Sequence, residues 1–400
     1  MAPLQLPAHG TMTVEEAGPS GGSPSVPRTN GTHGVWTVAV SLSGSVLGAG
    51  MLLMPSVVWG NTGPASFWAW GTHLVLGTWI ALLLAVVVID RPPDRLSGTV
   101  SGLLHPSAGR LVDTVYAAAF TFGQAAIAWF AALCVLPVLV PFRASHAALG
   151  ATLACGVLVA ASLLAVRGPA FGSRAARARR WLTGLVALGC AFALVPAAED
   201  PDVLTADVSA SSGFWLTLAA LFFAGVGWES VTVSVPEQAR RGRRAVAGVL
   251  LGSVIVASVY SGLAAVHHYA ADTSPFGGVP DAVRYTLAVL VLLLSISYCA
   301  TNIRTAAAIA SRALSTERAP ASVPVWLVGL VCLLWVWPAA REGGVVFLLL
   351  GPAAGAWTAY TVAAVAIARG GTARYRFLGS GLVVVLLVIM AGTLHALSPF

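Results

Sequence analysis

Eleven stretches of predominantly apolar residues follow one another along the chain, at 35–60, 64–89, 112–140, 147–166, 180–197, 213–235, 245–267, 283–311, 323–340, 343–368 and 376–397. A helix needs about 20 consecutive apolar residues to cross the hydrocarbon of a bilayer. Inside lipid every backbone N–H and C=O must find its partner within the protein, and runs of this kind, without the alternation of a barrel strand, do so as helices. The sequence therefore predicts an all-α membrane protein. Its 9% of charged residues, against about 25% in ordinary soluble domains, excludes a soluble fold.

The formal charge of +7 comes from 22 basic residues, all arginine, lying mostly in the short connectors. If the N-terminus is cytoplasmic, the inner side carries Arg28, Arg91, Arg95, Arg110, Arg167, Arg174, Arg177, Arg179, Arg180, Arg240, Arg241, Arg243, Arg244, Arg304, Arg312, Arg318, Arg369, Arg374 and Arg376. Only Arg143, Arg284 and Arg341 then lie outside. Such asymmetry orients a multi-pass protein in the cell membrane, and with an odd number of spans it puts the C-terminus on the extracytoplasmic side. It is no nucleic-acid footprint, which would cluster on one surface. Residues 1–33, rich in Pro, Gly, Ser and Thr, read as a disordered cytoplasmic tail, and 34–400 as a single transmembrane domain. Cys134, Cys155, Cys190, Cys299 and Cys332 all fall within spans without metal-ligand spacing, so they read as small packing residues. Nothing calls for a cofactor or a metal.

Two spans are interrupted. The first holds Gly44, Gly48 and Gly50 within seven residues, followed by Pro55; the sixth reads Phe223-Ala224-Gly225-Val226-Gly227-Trp228-Glu229. Gly44 and Gly48 alone would fit close helix packing. Interruptions at corresponding positions of two halves instead point to the binding site of an inverted-repeat transporter. The sixth span begins five spans after the first, so the two cross in opposite directions, as a five-plus-five inverted repeat (about 35–197 and 213–368, with 376–397 outside it) requires. Unwound backbone offers N–H groups to a carboxylate and carbonyls to an ammonium, so a neutral amino acid is held without charged side chains.

At these residues the chain resembles the amino acid-polyamine-organocation superfamily. The small-residue run from Gly44 to Pro55, the aromatic-glycine-glutamate run from Phe223 to Glu229 and the basic stretch from Pro236 to Arg244 carry the resemblance, although the Asn-Pro of that last connector is missing. Within the superfamily it looks most like bacterial exporters of methionine and branched-chain amino acids. The resemblance implies a secondary transporter of small neutral amino acids. Ser45, Val46, Leu47, Gly48, Ala49 and Gly50 would face the substrate from the first span, and Phe223, Ala224, Gly225, Val226 and Gly227 from the sixth, with Phe223 as an aromatic gate. The substrate and the lipid bilayer are the expected partners, with H⁺ as a candidate coupling ion.

Among fifteen acidic residues, Glu229 alone lies deep within a span. A charge there costs about 2.5 kcal/mol or more, so Glu229 is expected either to carry a proton or to brace the break. His73, mid-span, reads as hydrogen-bonded between helices, and His267 and His268 as interfacial anchors. Ser295, Ser297, Tyr298, Thr301, Asn302 and Thr305 form a polar face on the eighth span. Alternatives to neutral amino-acid transport are an amine or cationic amino-acid antiporter and a non-transporting receptor or assembly subunit. An intramembrane enzyme would need convergent acids and histidines, and only Glu229 and His73 qualify.

The orientation is tested by single cysteines placed in an otherwise cysteine-free chain. A membrane-impermeant thiol reagent applied to intact cells is expected to label a cysteine at Asp202 and to leave one at Arg241 unlabelled; the reverse pattern would invert the topology.

Overall fold

A computed structural model describes residues 31–89, 94–139, 146–167, 172–193, 210–235, 242–273, 280–314, 322–342 and 345–398. The expected tail lies outside the described residues except for 31–33, which belong to the first helix. Asp90 and most of the connector from Pro236 to Arg244 also lie outside them.

The first span consists of α1 (Gly31–Val46) and α2 (Gly50–Thr62), and a 3-10 turn at Gly63–Ala65 leads into α3 (Ser66–Ile89). A short helix, α4 (Leu96–Leu103), precedes α5 (Pro106–Leu139), and α6 (His146–Arg167) and α7 (Ser173–Ala193) complete the first five spans. The sixth span is α8 (Ala210–Ala224), a 3-10 turn at Trp228–Ser230 and α9 (Val231–Ser234). Then follow α10 (Arg243–Thr273), α11 (Asp281–Ala313), α12 (Ser322–Glu342), α13 (Val345–Gly370) and α14 (Ala373–Leu397). All eleven expected spans fall on helices. Among the described residues, eight helical stretches are long and apolar enough to cross a membrane, and the longest, Gly50–Ile89, joins α2 to α3.

Several helices run past the expected boundaries: α5 begins at Pro106 rather than 112, and α10 ends at Thr273 rather than 267. α7 begins at Ser173 rather than near residue 180, because Arg174-Ala175-Ala176-Arg177-Ala178-Arg179-Arg180 is a run of strong helix formers. α4 was not expected: its eight residues are too short to span, and it lies against α5 and α13.

The centre of the bundle is α5, which packs against α4, α6, α11, α12 and α13. At 34 residues it is about 51 Å long at 1.5 Å per residue, longer than the roughly 30 Å of hydrocarbon. It can be surrounded because its middle is small: Ala125, Ala126, Ala128, Ala131 and Ala132 are each fully buried. In lipid no hydrophobic force drives helices together, so such close approach is what associates them. The same device joins α1 to α10. A Cβ on Gly248 would lie 2.7 Å from the Val38 side chain, and one on Gly252 would lie 3.0 Å from the Ala39 carbonyl.

The halves of the interrupted spans pair crosswise. α2 packs on α8, and α1 packs on α9. The two spans therefore run antiparallel, with their breaks side by side.

Gly252→Leu drives a side chain into the α1 backbone. Overpacking of this kind costs about 1–3 kcal/mol, so a thermal midpoint several degrees lower is expected in detergent. An unchanged midpoint would show that α1 and α10 are not packed this closely.

Candidate substrate site between the two helix breaks

The first break falls at Leu47–Ala49. The last helical bond of α1 runs from Leu47 N to Ser43 O at 2.9 Å, and α2 resumes with Met51 N to Gly48 O at 3.1 Å. Among the described residues no backbone acceptor takes the N–H groups of Gly48, Ala49 and Gly50, and no backbone donor reaches the carbonyls of Gly44 and Ser45. The free N–H groups sit at the N-terminus of α2, where the helix dipole adds positive potential. The free carbonyls end α1. One short segment therefore offers an anion site and a cation site.

The second break falls at Gly225–Gly227. Gly227 has φ of +129°, a conformation open to glycine and strained for any other residue. Its packing is as restrictive, since a Cβ would lie 2.6 Å from the Ser45 carbonyl oxygen of the first break. Val226 N and Trp228 N reach Phe223 O and Gly225 O, both at 3.4 Å, so the Phe222 and Ala224 carbonyls lose their helical donors.

Side chains repair part of this damage. The Tyr360 hydroxyl of α13 lies 2.6 Å from Gly225 O and 2.6 Å from Glu229 Oε2. Gly227 N donates to the same carboxyl oxygen at 2.9 Å, and Tyr260 of α10 donates to Val46 O at 3.5 Å. A phenol has one hydrogen, so Tyr360 cannot donate to both acceptors at once. Its single hydrogen therefore serves Gly225 O or the Glu229 carboxyl, one at a time. Tyr116 of α5 stacks edge-on to Tyr360, with ring centroids 6.4 Å apart.

A cavity of about 360 Å³ lies between the breaks. Gly44 to Gly50 line it from the first span, and Phe223, Ala224, Val226, Gly227, Glu229 and Ser230 from the sixth. Of the twelve residues expected at the site, only Gly225 is not among its lining: the open side of Gly225 faces His73, and its carbonyl is held by Tyr360. Phe223 lines the cavity and packs toward Gly123 of α5, where a Cβ would come within 2.8 Å of its ring.

The remaining wall contains residues that the sequence reading did not assign to the site: Gln124 and Phe120 of α5, and Ala176, Arg179 and Arg180 of α7. Charge alone places both arginines in a connector, although the i, i+3 spacing of Arg174, Arg177 and Arg180 among alanines is a helix pattern. Arg179 donates to Ser297 O at 3.1 Å, Ser297 Oγ at 3.2 Å and Thr301 Oγ1 at 2.8 Å, and lies 4.2 Å over the Tyr298 ring. The Tyr298 hydroxyl meets Thr183 at 3.1 Å, and Asn302 donates to Gln124 Oε1 at 3.2 Å. Ser297, Tyr298, Thr301 and Asn302 of the eighth span are thus bonded between helices, Thr305 bonds back to Thr301 O within α11, and the buried Ser295 hydroxyl has no partner among the described residues.

The other singled-out residues fall elsewhere. Among the described residues His73 has no hydrogen bond, contrary to expectation, because Trp70 and Phe222 flank it edge-on. His267 is a buried tie between α10 and α2, meeting Ser56 Oγ at 3.1 Å. His268 stacks near Trp59 and Phe67. Arg304 caps the last turn of α6, donating to Ala165 O at 2.6 Å and Leu164 O at 2.8 Å. Asp113 lies 3.9 Å from Arg312.

Spanning helices with two apposed interruptions define the five-plus-five inverted-repeat, LeuT-like fold of membrane transporters, in a multi-pass membrane protein. The chain is similar in structure to MhsT in complex with L-phenylalanine: TM-score 0.57, 14% identity, covering 89% of this chain and 98% of that one. It is also similar to two variants of the manganese transporter of Eremococcus coleocola, with TM-scores of 0.58 and 0.55 and identities of 13% and 14%. Each match covers 88% of this chain and 85% of that transporter. At these identities the likeness shows the fold. No protein-family model matches the chain, and no curated protein matches it by sequence.

Gly227→Ala adds both a strained φ, costing about 1–3 kcal/mol, and a collision with Ser45. The variant is expected to insert in the membrane, unfold at lower temperature and lose transport. Unchanged transport would mean that the two breaks do not touch. Tyr360→Phe leaves Gly225 O unbonded at a cost of about 1–3 kcal/mol, and a lowered thermal midpoint tests it.

Proposed function

We propose that the chain is a secondary transporter moving small neutral, chiefly aliphatic amino acids across the cytoplasmic membrane by alternating access. The supporting observation is that N–H groups and carbonyls, freed within a few residues of one another, face one cavity. A zwitterion carries the complementary carboxylate and ammonium at the same short separation, which suits a site with no dedicated acid–base pair. About 360 Å³ is near the lower end of small-molecule pockets, and Val46, Leu47, Ala49, Phe223 and Val226 supply an apolar wall. Phe223 is the aromatic gate, and residues about 35–197 and 213–368 are the two repeats. By its resemblance the chain falls in the amino acid-polyamine-organocation superfamily, near the exporters of methionine and branched-chain amino acids.

A metal cargo, as in the manganese transporter, is the second reading that the fold brings. The cavity chemistry favours the amino acid. Hard divalent cations take several oxygen ligands, carboxylates foremost. This wall has one carboxyl, already bonded to Gly227 and Tyr360, together with two guanidinium groups. The same two charges weigh against amines and cationic amino acids.

Glu229 is the proton-coupling group in this reading, as the acid of the cavity wall, placed within a span where a charge is costly. Purified protein in proteoliposomes is expected to show counterflow of labelled leucine or methionine. Counterflow of an amine or uptake of Mn²⁺ instead would overturn the reading. Glu229→Gln keeps an oxygen acceptor for Gly227 N and Tyr360 but removes the carboxyl proton site, so it is expected to keep exchanging substrate while losing its response to a pH gradient. A retained response would make Glu229 a brace.

A further inference from the structure

Of the two guanidinium groups in the cavity wall, Arg179 is engaged. Four groups of α11 surround it, namely Ser297 O, Ser297 Oγ, Thr301 Oγ1 and the Tyr298 ring. Arg180 is different. It lines the same cavity, only partly exposed, and its Nη1 lies over Gly44, so close that a Cβ there would overlap it. Among the described residues it makes no hydrogen bond and no ion pair. The carboxyl of Glu229, the cavity's acid, is already tied to Gly227 and Tyr360.

Arg174 and Arg177 precede Arg180 at intervals of three on α7 and are exposed, as expected of arginines meeting lipid headgroups. Headgroup anchoring does not account for Arg180, whose guanidinium turns into the cavity against a helix break. Gly44 makes the turn possible, because a side chain at that position would fill the place the guanidinium occupies.

We propose that Arg180 is a carboxylate-binding station on the path between the helix breaks and the arginine-rich face, selecting solutes that bear a carboxylate over amines and metal cations. A guanidinium presents its donors in a planar fork that meets a carboxylate through two parallel hydrogen bonds. Gly44 precedes the free N–H groups at Gly48–Gly50 by four to six residues, about 6–9 Å along a helix at 1.5 Å per residue. A carboxylate released from those N–H groups toward the arginine-rich side meets Arg180 next. Arg174 and Arg177 raise the local concentration of anions at the mouth. The station depends on the amino-acid reading only for what else the carboxylate bearer carries.

Binding to detergent-purified protein is measured calorimetrically for three probes of one skeleton: L-leucine, 4-methylpentanoate, which lacks the amine, and 3-methylbutylamine, which lacks the carboxylate. Arg180→Gln is expected to weaken leucine and 4-methylpentanoate at least tenfold and to leave the amine unchanged or tighter. Arg180→Lys, which keeps the charge without the fork, is expected to fall between. Gly44→Ala displaces the guanidinium from the opposite side and is expected to reproduce the same selective loss, so the test survives if Arg180→Gln proves unstable. Raising the salt concentration is expected to slow leucine capture by the wild type and much less by Arg180→Gln. Repeating the titrations with and without added phosphatidylglycerol separates a solute site from a headgroup site: leucine weakened tenfold only when the anionic lipid is present would assign Arg180 to the lipid. Equal weakening of all three probes, or full carboxylate affinity in a stable Arg180→Gln, would overturn the proposal. Wild-type binding of 4-methylpentanoate without leucine would instead overturn the amino-acid reading and leave the station standing.

Discussion

Backbone polar groups in hydrocarbon have no water to turn to, and this chain leaves two sets of them unpaired at the depth where the cost is highest. The architecture around the breaks answers that deficit. α10 sends Tyr260 to the Val46 carbonyl and α13 sends Tyr360 to the Gly225 carbonyl, while Glu229 folds back on the Gly227 amide. The two tyrosines come from spanning helices and are fully buried, and Glu229 comes from the 3-10 turn of the break itself. At the first break the groups left unrepaired, N–H groups on one side and carbonyls on the other, belong to residues that line the cavity.

The charge distribution follows the same economy. A buried guanidinium is tolerated where its donors are met, and Arg179 meets two hydroxyls, a carbonyl and an aromatic face on α11. This locks the start of α7 to the middle of the eighth span, so its neighbour Arg180 is delivered at a fixed place beside Gly44. The polar residues of the eighth span thus act on the cavity indirectly, by positioning a cation from another helix.

The spans, their alternating direction and the two interruptions were legible because lipid imposes a single length and a single secondary structure, and because Gly44–Gly50 and Gly225–Gly227 break the apolar pattern at equivalent depths. Helix ends were less legible. Arg174 to Arg180 read as a connector on charge, while helix propensity, which the alanines satisfy, carried α7 two turns further. Gln124, Tyr116 and Tyr360 were not legible as site residues. Each sits in an ordinary apolar run, and only the packing of α5 and α13 against the sixth span discloses that a hydroxyl or an amide is required there. Gly225 shows the opposite limit: its pattern is that of its neighbours, but its rotation within the turn directs it to His73 and away from the cavity.

The contact between the breaks decides how such a fold can move. Gly227 is packed so tightly on the Ser45 carbonyl that no side chain fits between them, and α1 pairs with α9 as α2 pairs with α8. Neither interrupted span can then tilt alone without separating from the other or colliding with it. Beside this paired unit stand α5 and α11, the two longest helices among the described residues, which hold each other and line the cavity with Phe120 and Gln124 from one and Tyr298 and Asn302 from the other. Packed interfaces of this kind switch between discrete arrangements rather than deform continuously. A ligand seated at the breaks touches both bodies, so it can bias their relative position through the difference between its contacts in the two arrangements.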